Sequence, residues 1–307
     1  MLDLGIVIVS YNTRDLLRTC LRSVYASQDD VTFEVCVVDN GSSDGSADMV
    51  AAEFPQARLI ANAENRGYPA ANNQGLKYFG FSTSSSALDG VRMPQFALLL
   101  NSDTELPPDA LTTMLAFMRD HPDAGAAGPK LVRPDGSLDL ACRRSFPTPE
   151  ISFYRMTGLS KLFPGSPRFG QYNLTYLDPD QMTEVDSVVG AFMLVQGEAI
   201  REAGLMDESF FMYGEDLDWA YRIKDAGWKI YYNPAVTVLH VKKASTRQNP
   251  RAQIEFYRAM EIFYRKHFAA QASWWVHALI IGAISTRLKL EQLRVTLSSP
   301  RREQETV

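Results

Sequence analysis

Apolar runs alternate with helix-periodic stretches along the first hundred residues. Residues 5–9 form a β-branched run, and 14–26 place Leu16, Leu17, Cys20, Leu21 and Val24 at helical spacing. Residues 33–38 predict a second strand, followed by a turn cluster of Gly, Ser and Asx residues over 40–46. Beyond it, 47–53 predict a helix, 58–60 a short strand, 68–79 a helix and 96–100 another apolar strand. Strands alternating with helices imply right-handed βαβ units, a mostly parallel sheet and helices on both faces, an α/β fold. In such sheets ligands bind beyond the carboxyl ends of the strands, where Asp39, Asn101 and Asp103 stand.

The pattern then weakens. Residues 81–94, with a serine run, read as a loop, and prolines at 129, 134, 147, 149, 164 and 167 break 125–181 into loops forming one wall of the site. Order returns at 187–195, strand-like at 188–189 and 192–195, and at 217–226, helical with Gly227 as its stop. Residues 229–232 and 236–240 predict strands, and 250 to about 297 predict helix. The apolar stretch 274–284 is well short of the roughly 20 residues a spanning helix needs. The run 6–9 is cut off by Ser10-Tyr11-Asn12, so it reads as a buried strand and not a secretory signal, and a cytoplasmic location is expected.

Composition narrows the classes. The 307 residues are 46% hydrophobic and 22% charged, as in ordinary globular proteins, enough for one large domain or two modest ones. Cys20, Cys36 and Cys142 have neither metal nor disulfide-framework spacing, which favours a reducing compartment. The net charge of −5 disfavours bulk nucleic-acid binding but averages two unlike parts. Residues 1–241 hold 19 basic and 31 acidic side chains, a balance of −12, and residues 242–307 hold 12 and 5, a balance of +7. In that basic part Trp274, Trp275, Ala278, Leu279, Ile281 and Leu288 share an apolar helix side, with Arg287, Lys289, Arg294 and Arg301-Arg302 following. The pattern suits packing on the core, a homodimer contact, or peripheral binding to the inner face of an anionic membrane.

Four places carry candidate chemistry. Asp39 ends a strand before a glycine-rich turn, where it either caps the turn or accepts from the imide N–H of uracil or thymine. The absence of G-x-G-x-x-G after either strand argues against a dinucleotide dehydrogenase. Asn101-Ser102-Asp103-Thr104 is either a strand-ending turn or a carboxylate placed to hold a hard divalent cation on a diphosphate. Glu215-Asp216, beside Phe210, Phe211 and Tyr213, is either helix-opening charge or a carboxylate base. His240 with Lys242, Lys243 and Arg247 suits either a structural histidine or a diphosphate leaving group.

Taken in order, these segments resemble the inverting family 2 glycosyltransferases of the GT-A fold, especially their rhamnosyltransferase-like branch, from Ile6 to about Lys266. Val7-Ile8-Val9-Ser10-Tyr11-Asn12 is similar to the family's opening strand, and Val38-Asp39-Asn40-Gly41-Ser42-Ser43-Asp44-Gly45 to its nucleotide-binding turn. Asn65-Arg66-Gly67-Tyr68 through Asn72-Asn73 and Gly75 looks like its N-x-G-[FY]-x-x-x-N-N-x-G signature. Asn101-Ser102-Asp103 takes the place of its D-x-D or N-P-D motif. Gly190-Ala191-Phe192-Met193-Leu194 resembles its acceptor-side segment, and residues 211–218 its F-x-Y-x-E-D-x-D box.

The resemblance implies a GT-A catalytic domain over 1–249, with a nucleotide-sugar half at 1–105 and an acceptor half at 106–249, then a helical extension at 250–307. It implies a dTDP- or UDP-linked sugar donor, with dTDP-rhamnose favoured, a glycan or polyprenyl-linked acceptor in cell-envelope polysaccharide synthesis, and Mg2+ or Mn2+. Asp39 would read the pyrimidine, with Ser10, Tyr11, Asn12, Asn40, Gly41, Asn65, Gly67, Asn72, Asn101 and Ser102 around the donor. Asp103 would hold the metal and His240 approach it. Asp216 would be the general base, with Glu215 and Asp218 orienting base or acceptor beside Gly190 and Ala191, and Arg143 and Arg144 contacting an acceptor phosphate. Two departures stand out: Asn101 replaces an acid, and Lys242-Lys243 follow His240 where relatives often have glycines, so lysines would carry part of the phosphate charge. A sugar nucleotidyltransferase is a weaker alternative, because Ser10-Tyr11-Asn12-Thr13 is not a basic, glycine-rich phosphate loop. A non-catalytic glycan binder would have no need of the retained acids.

Overall fold

The computed structural model describes residues 2–27, 31–81, 93–242 and 252–298. Strand β1 (Leu4–Ser10) leads into helix α1 (Arg14–Tyr25), β2 (Phe33–Asp39) into α2 (Ser46–Glu53), and β3 (Arg58–Ala61) into α3 (Tyr68–Tyr78). β4 (Phe96–Asn101) and the short β5 (Thr104–Glu105) precede α4 (Ala110–Asp120) and β6 (Ala124–Val132). Two short helices, α5 (Pro149–Met156) and α6 (Leu159–Leu162), come before β7 (Thr183–Val185) and β8 (Phe192–Gln196). Helices α7 (Gly197–Ala203) and α8 (Glu215–Asp225) then lead to β9 (Lys229–His240), and α9 (Ala252–His267) and α10 (Trp274–Ser298) follow.

Among the described residues the strands form one sheet in the order β3-β2-β1-β4-β8-β6-β9-β5, with β7 also on β9. β1, β2, β3 and β4 are mutually parallel, β8 runs against β4 and β6, and β6 and β9 are parallel again. Only β8, β7 and β5 therefore oppose the common direction, so the sheet is mostly parallel as expected. β1 is buried along its whole length because helices cover both faces, and α1 buries Leu17, Cys20, Leu21 and Val24. Gly75 brings α3 close to the sheet: a Cβ there would lie 2.4 Å from Val7. One of the signature glycines thus serves packing.

The stretch expected to be loops over 125–181 contains the nine-residue β6 and helices α5 and α6. Pro129 is tolerated in β6 because the register with β9 shifts between Pro129 and Lys130. Opposite that shift, the two strands expected over 229–232 and 236–240 are one strand, with Asn233 and Thr237 facing consecutive β6 residues. The strand-like pair Val188-Val189 is irregular backbone ahead of β8. α9 docks through a second small core of Phe210, Leu217, Ala259 and Phe263. Trp274, Trp275, Leu279, Leu290 and Leu293 of α10 are exposed. Among the described residues, no helix is long and apolar enough to cross a membrane.

Candidate active site

The carboxyl ends of β1, β2 and β4 lie side by side, Ser10 opposite Asp39 and Val9 opposite Asn101. Two turns above them are clasped together. Asn12 adopts φ 53°, a conformation Asn tolerates, so that its N–H donates to Ser42 Oγ at 2.9 Å while its Oδ1 accepts from Ser43 N at 2.8 Å. Below, the hydroxyls of Ser10, Thr13 and Ser102 are linked at 3.0 and 2.8 Å. Asp39 is 3% exposed; its Oδ2 accepts from Ser42 N at 3.0 Å, whereas its buried Oδ1 has no partner. A buried acceptor left open at a strand end suits a ring N–H from a ligand. Gly41, at φ +81°, lets the turn pass the Glu64 backbone, which a Cβ would meet at 2.8 Å.

Asn40 and Asn65 serve the loops. Asn40 Nδ2 donates to Asn65 Oδ1 at 3.0 Å and to the Gly67 carbonyl at 3.2 Å, and Asn65 Oδ1 also accepts from Gly67 N. Gly67, at φ +87°, lies against Phe211, whose carbonyl oxygen a Cβ would meet at 2.8 Å. Asn72 caps back onto the Tyr68 carbonyl with Nδ2 and leaves its buried Oδ1 open. Tyr11 is partly exposed at the rim.

Tyr68 joins the end of β4 to the segment ahead of β8. Its hydroxyl is shared between Asn101 Oδ1 and the Gly190 carbonyl, both at 3.0 Å, and burial raises its pKa. Next to Asn101, Asp103 Oδ1 lies 3.4 Å from His240 Nε2, brought there by the pairing of β5 with the end of β9. Behind the imidazole, fully buried Asp139 accepts from His240 Nδ1 at 2.9 Å and from Lys242 Nζ at 2.6 Å. Burial works against the Asp139 charge, but His240 and Lys242 outweigh it and hold the carboxyl well below its usual range. For His240 burial is likewise outweighed, by Asp103 and Asp139, and the imidazole is pushed up to about 9. Lys242 is thus engaged with Asp139, and Lys243 and Arg247 lie outside the described residues.

Among the described residues, no three His, Cys, Asp or Glu side chains converge into a metal cage. Asp103 and His240 nevertheless offer one carboxylate oxygen and one imidazole nitrogen side by side, a pair that would fit a divalent cation with positions left open for substrate. His240 is oriented for this by Asp139, the carboxylate–histidine arrangement common behind metal ligands.

On the Gly190 side, Tyr213 (φ 72°) and Gly214 (φ 79°) form a left-handed turn into α8, setting Glu215 and Asp216 in its first turn. Asp216 Oδ2 accepts from Arg144 Nη2 at 2.7 Å and from Gly190 N at 3.1 Å. Ala191 is buried beside it in sequence and accepts from Asn101 N through its carbonyl. Glu215 has a buried, unpartnered Oε2, and burial first, then the Asp216 charge, raise its carboxyl well above the usual range. Arg144 sets its positive charge against the neighbouring Asp216 carboxylate at 2.7 Å.

This raised Glu215 predicts a pH-dependent stability. The unfolded chain gives up the Glu215 proton near the ordinary carboxyl value of 4.5, while the folded chain retains it to higher pH. Native stability therefore falls as pH rises through that window. Glu215→Gln should melt several degrees above the parent at pH 8, with the gap closing at pH 4; a gap independent of pH would contradict the assignment.

Two expected contacts turn elsewhere. Arg143 is buried and donates to the Leu177 and Asp178 carbonyls at 2.7 Å. Asp218 is fully buried and meets Arg222, Lys266 and His267 at 2.8–2.9 Å, on the side of α8 that faces α9. Conversely, no sequence signal singles out the contacts of Tyr68 and Asp139: Tyr68 lies within the Asn65–Gly75 signature, and nothing local marks Asp139.

A sequence model of Glycosyl transferase family 2 matches residues 5–174, more than half the chain. Over 299 residues the chain is 28% identical to N-acetylglucosaminyl-diphospho-decaprenol L-rhamnosyltransferase of Mycobacterium tuberculosis, covering 97% of this chain and 94% of that protein. It is 26% identical to Rhamnosyltransferase WbbL of Escherichia coli K12, covering 76% of this chain and 82% of that one. Its fold matches the mannosyltransferase PcManGT of Pyrobaculum calidifontis, solved with GDP-Man and Mn2+, at a TM-score of 0.56 and 16% identity, over 96% of this chain and 75% of that one. The strand-end cluster, the paired acids opening α8 and these matches lead to one conclusion: the chain belongs to glycosyltransferase family 2 and is an inverting enzyme of the GT-A fold.

Proposed function

We propose that the enzyme transfers L-rhamnose from dTDP-rhamnose to a sugar carried on a polyprenyl diphosphate, in the synthesis of a cell-envelope glycan. The observation that carries this reading is the near full-length match to a decaprenol-linked L-rhamnosyltransferase. The open Asp39 Oδ1 supports it, because thymine offers an imide N–H of the kind that oxygen lacks. Uracil offers the same group, so the base alone does not select the sugar.

In this mechanism Asp39 and the clasped turns of Asn12 and Ser42 bind the nucleoside. Asp103 and His240 would hold a divalent cation, whose positive charge would offset that of the departing diphosphate. Asp216 takes the proton of the acceptor hydroxyl as that oxygen bonds to the anomeric carbon. The bond from that carbon to the diphosphate breaks on the opposite face, inverting the centre. Arg144 and Gly190 N fix the Asp216 carboxylate, and neutral Glu215 beside it adds no second charge. Residues 1–249 act as the catalytic unit. The exposed tryptophans of α10, with Arg287, Lys289 and Arg294, suit peripheral contact with an anionic leaflet.

A thermal-shift screen with Mn2+ tests the donor. Ligands that bind the folded state raise the melting temperature by mass action. dTDP-rhamnose should raise it more than UDP-glucose or UDP-N-acetylglucosamine; the reverse order would assign the enzyme to a uridine-linked hexose.

A further inference from the structure

The acceptor of the proposed reaction carries its own diphosphate, and the two arginines expected to meet it are engaged elsewhere. Arg143 serves backbone carbonyls and Arg144 serves Asp216. Building on that reading, we propose that the α5–α6 face seats the acceptor's diphosphate and first isoprene units, with Arg155 as the phosphate contact.

Arg155 lies near the base. Tyr172 stands beside Arg144, which holds Asp216, and the Arg155 guanidinium carbon lies 4.2 Å from the centre of the Tyr172 ring. It is also 5.9 Å from the Phe256 ring of α9. Stacked on aromatic faces, a guanidinium keeps the N–H groups of its edge free, in the fork that matches a phosphate. No carboxylate pairs with Arg155 among the described residues, although its neighbour Arg168 is paired with Glu150. An arginine over the Tyr172 ring, with no carboxylate partner among the described residues, is suited to an anion that arrives with the substrate.

The same excursion is unusually apolar outside. Phe153 and Met156 of α5 are 58% and 46% exposed, and Leu162 of α6 and the following Phe163 are 69% and 48% exposed. Lys161, also exposed, lies among them with no ion pair among the described residues. An apolar patch bordered by cations complements an amphiphile with an anionic head and a hydrocarbon tail. Its continuity with the Arg144–Asp216 wall favours the acceptor itself over a bulk membrane.

Farnesyl diphosphate is the probe, titrated calorimetrically into the whole protein saturated with Mn2+ and dTDP so that the donor's diphosphate site is filled. It should bind more tightly than farnesol or inorganic diphosphate. R155Q should weaken that binding about tenfold, the order expected for one charge-assisted phosphate contact, and R155K should retain part of it. Phe153→Ser with Met156→Ser should erase the preference over inorganic diphosphate. Unchanged affinity in R155Q would overturn the proposal. So would variants that lose only binding to phosphatidylglycerol vesicles, which would make this face a membrane contact. Arg155-dependent farnesyl diphosphate binding together with failure to bind any dTDP-sugar would instead refute the rhamnose reading alone.

Discussion

Asp216→Asn is expected to lower the transfer rate by about 10²–10⁴-fold, the usual range for losing a positioned general base. Asparagine preserves the side chain's shape but accepts no proton. Arg144 would lose its carboxylate yet keep the Val188 carbonyl and Ser187 Oγ at 2.8 and 3.2 Å, so the wall should persist. The thermal shift produced by dTDP should therefore stay close to that of the parent. A rate loss accompanied by an equal loss of donor binding would remove Asp216 from the role of base. Glu215→Gln, which preserves a neutral side chain, should damage turnover far less.

Asp218→Ala should act on stability. The fully buried carboxylate faces Arg222, Lys266 and His267, and burial is outweighed by His267 and Lys266, which lower its pKa. Removing one partner from a buried ionic cluster leaves uncompensated charge, at a cost of about 3–5 kcal/mol. For a chain of this size that corresponds to a fall in Tm of roughly 10 °C. Acceptor KM should be unchanged where the variant is folded. A raised acceptor KM with an unchanged Tm would restore Asp218 to the substrate.

The contrast between these neighbours shows what the chain made legible. Asp216 and Asp218 share a motif but are two residues apart on a helix, about 200° around its axis, so they face opposite ways. Helical geometry alone separates them. β1, β2 and β4 were readable because strands buried on both faces are continuous apolar runs. β6 was not, because its register is written in small residues. A Cβ at Gly125 would lie 2.5 Å from Trp228 and one at Gly128 2.8 Å from Val188, so close packing overrides strand propensity there. The acids Asp39, Asp103 and Asp216 mark element ends, which sequence can find. Their supporting partners come from far along the chain, Arg144 lying 72 residues from Asp216 and Asp139 101 residues from His240. Such pairings exist only in the fold.

The proposed reaction is single-displacement transfer of rhamnose with Asp216 as base. Its most direct test is to incubate the protein with dTDP-L-rhamnose, Mn2+ and N-acetylglucosaminyl-diphospho-polyprenol and to read the product by mass spectrometry and NMR. One added deoxyhexose is expected, linked with the anomeric configuration opposite to that of the donor, and lost in Asp216→Asn. A product of retained configuration, or undiminished product from Asp216→Asn, would contradict it.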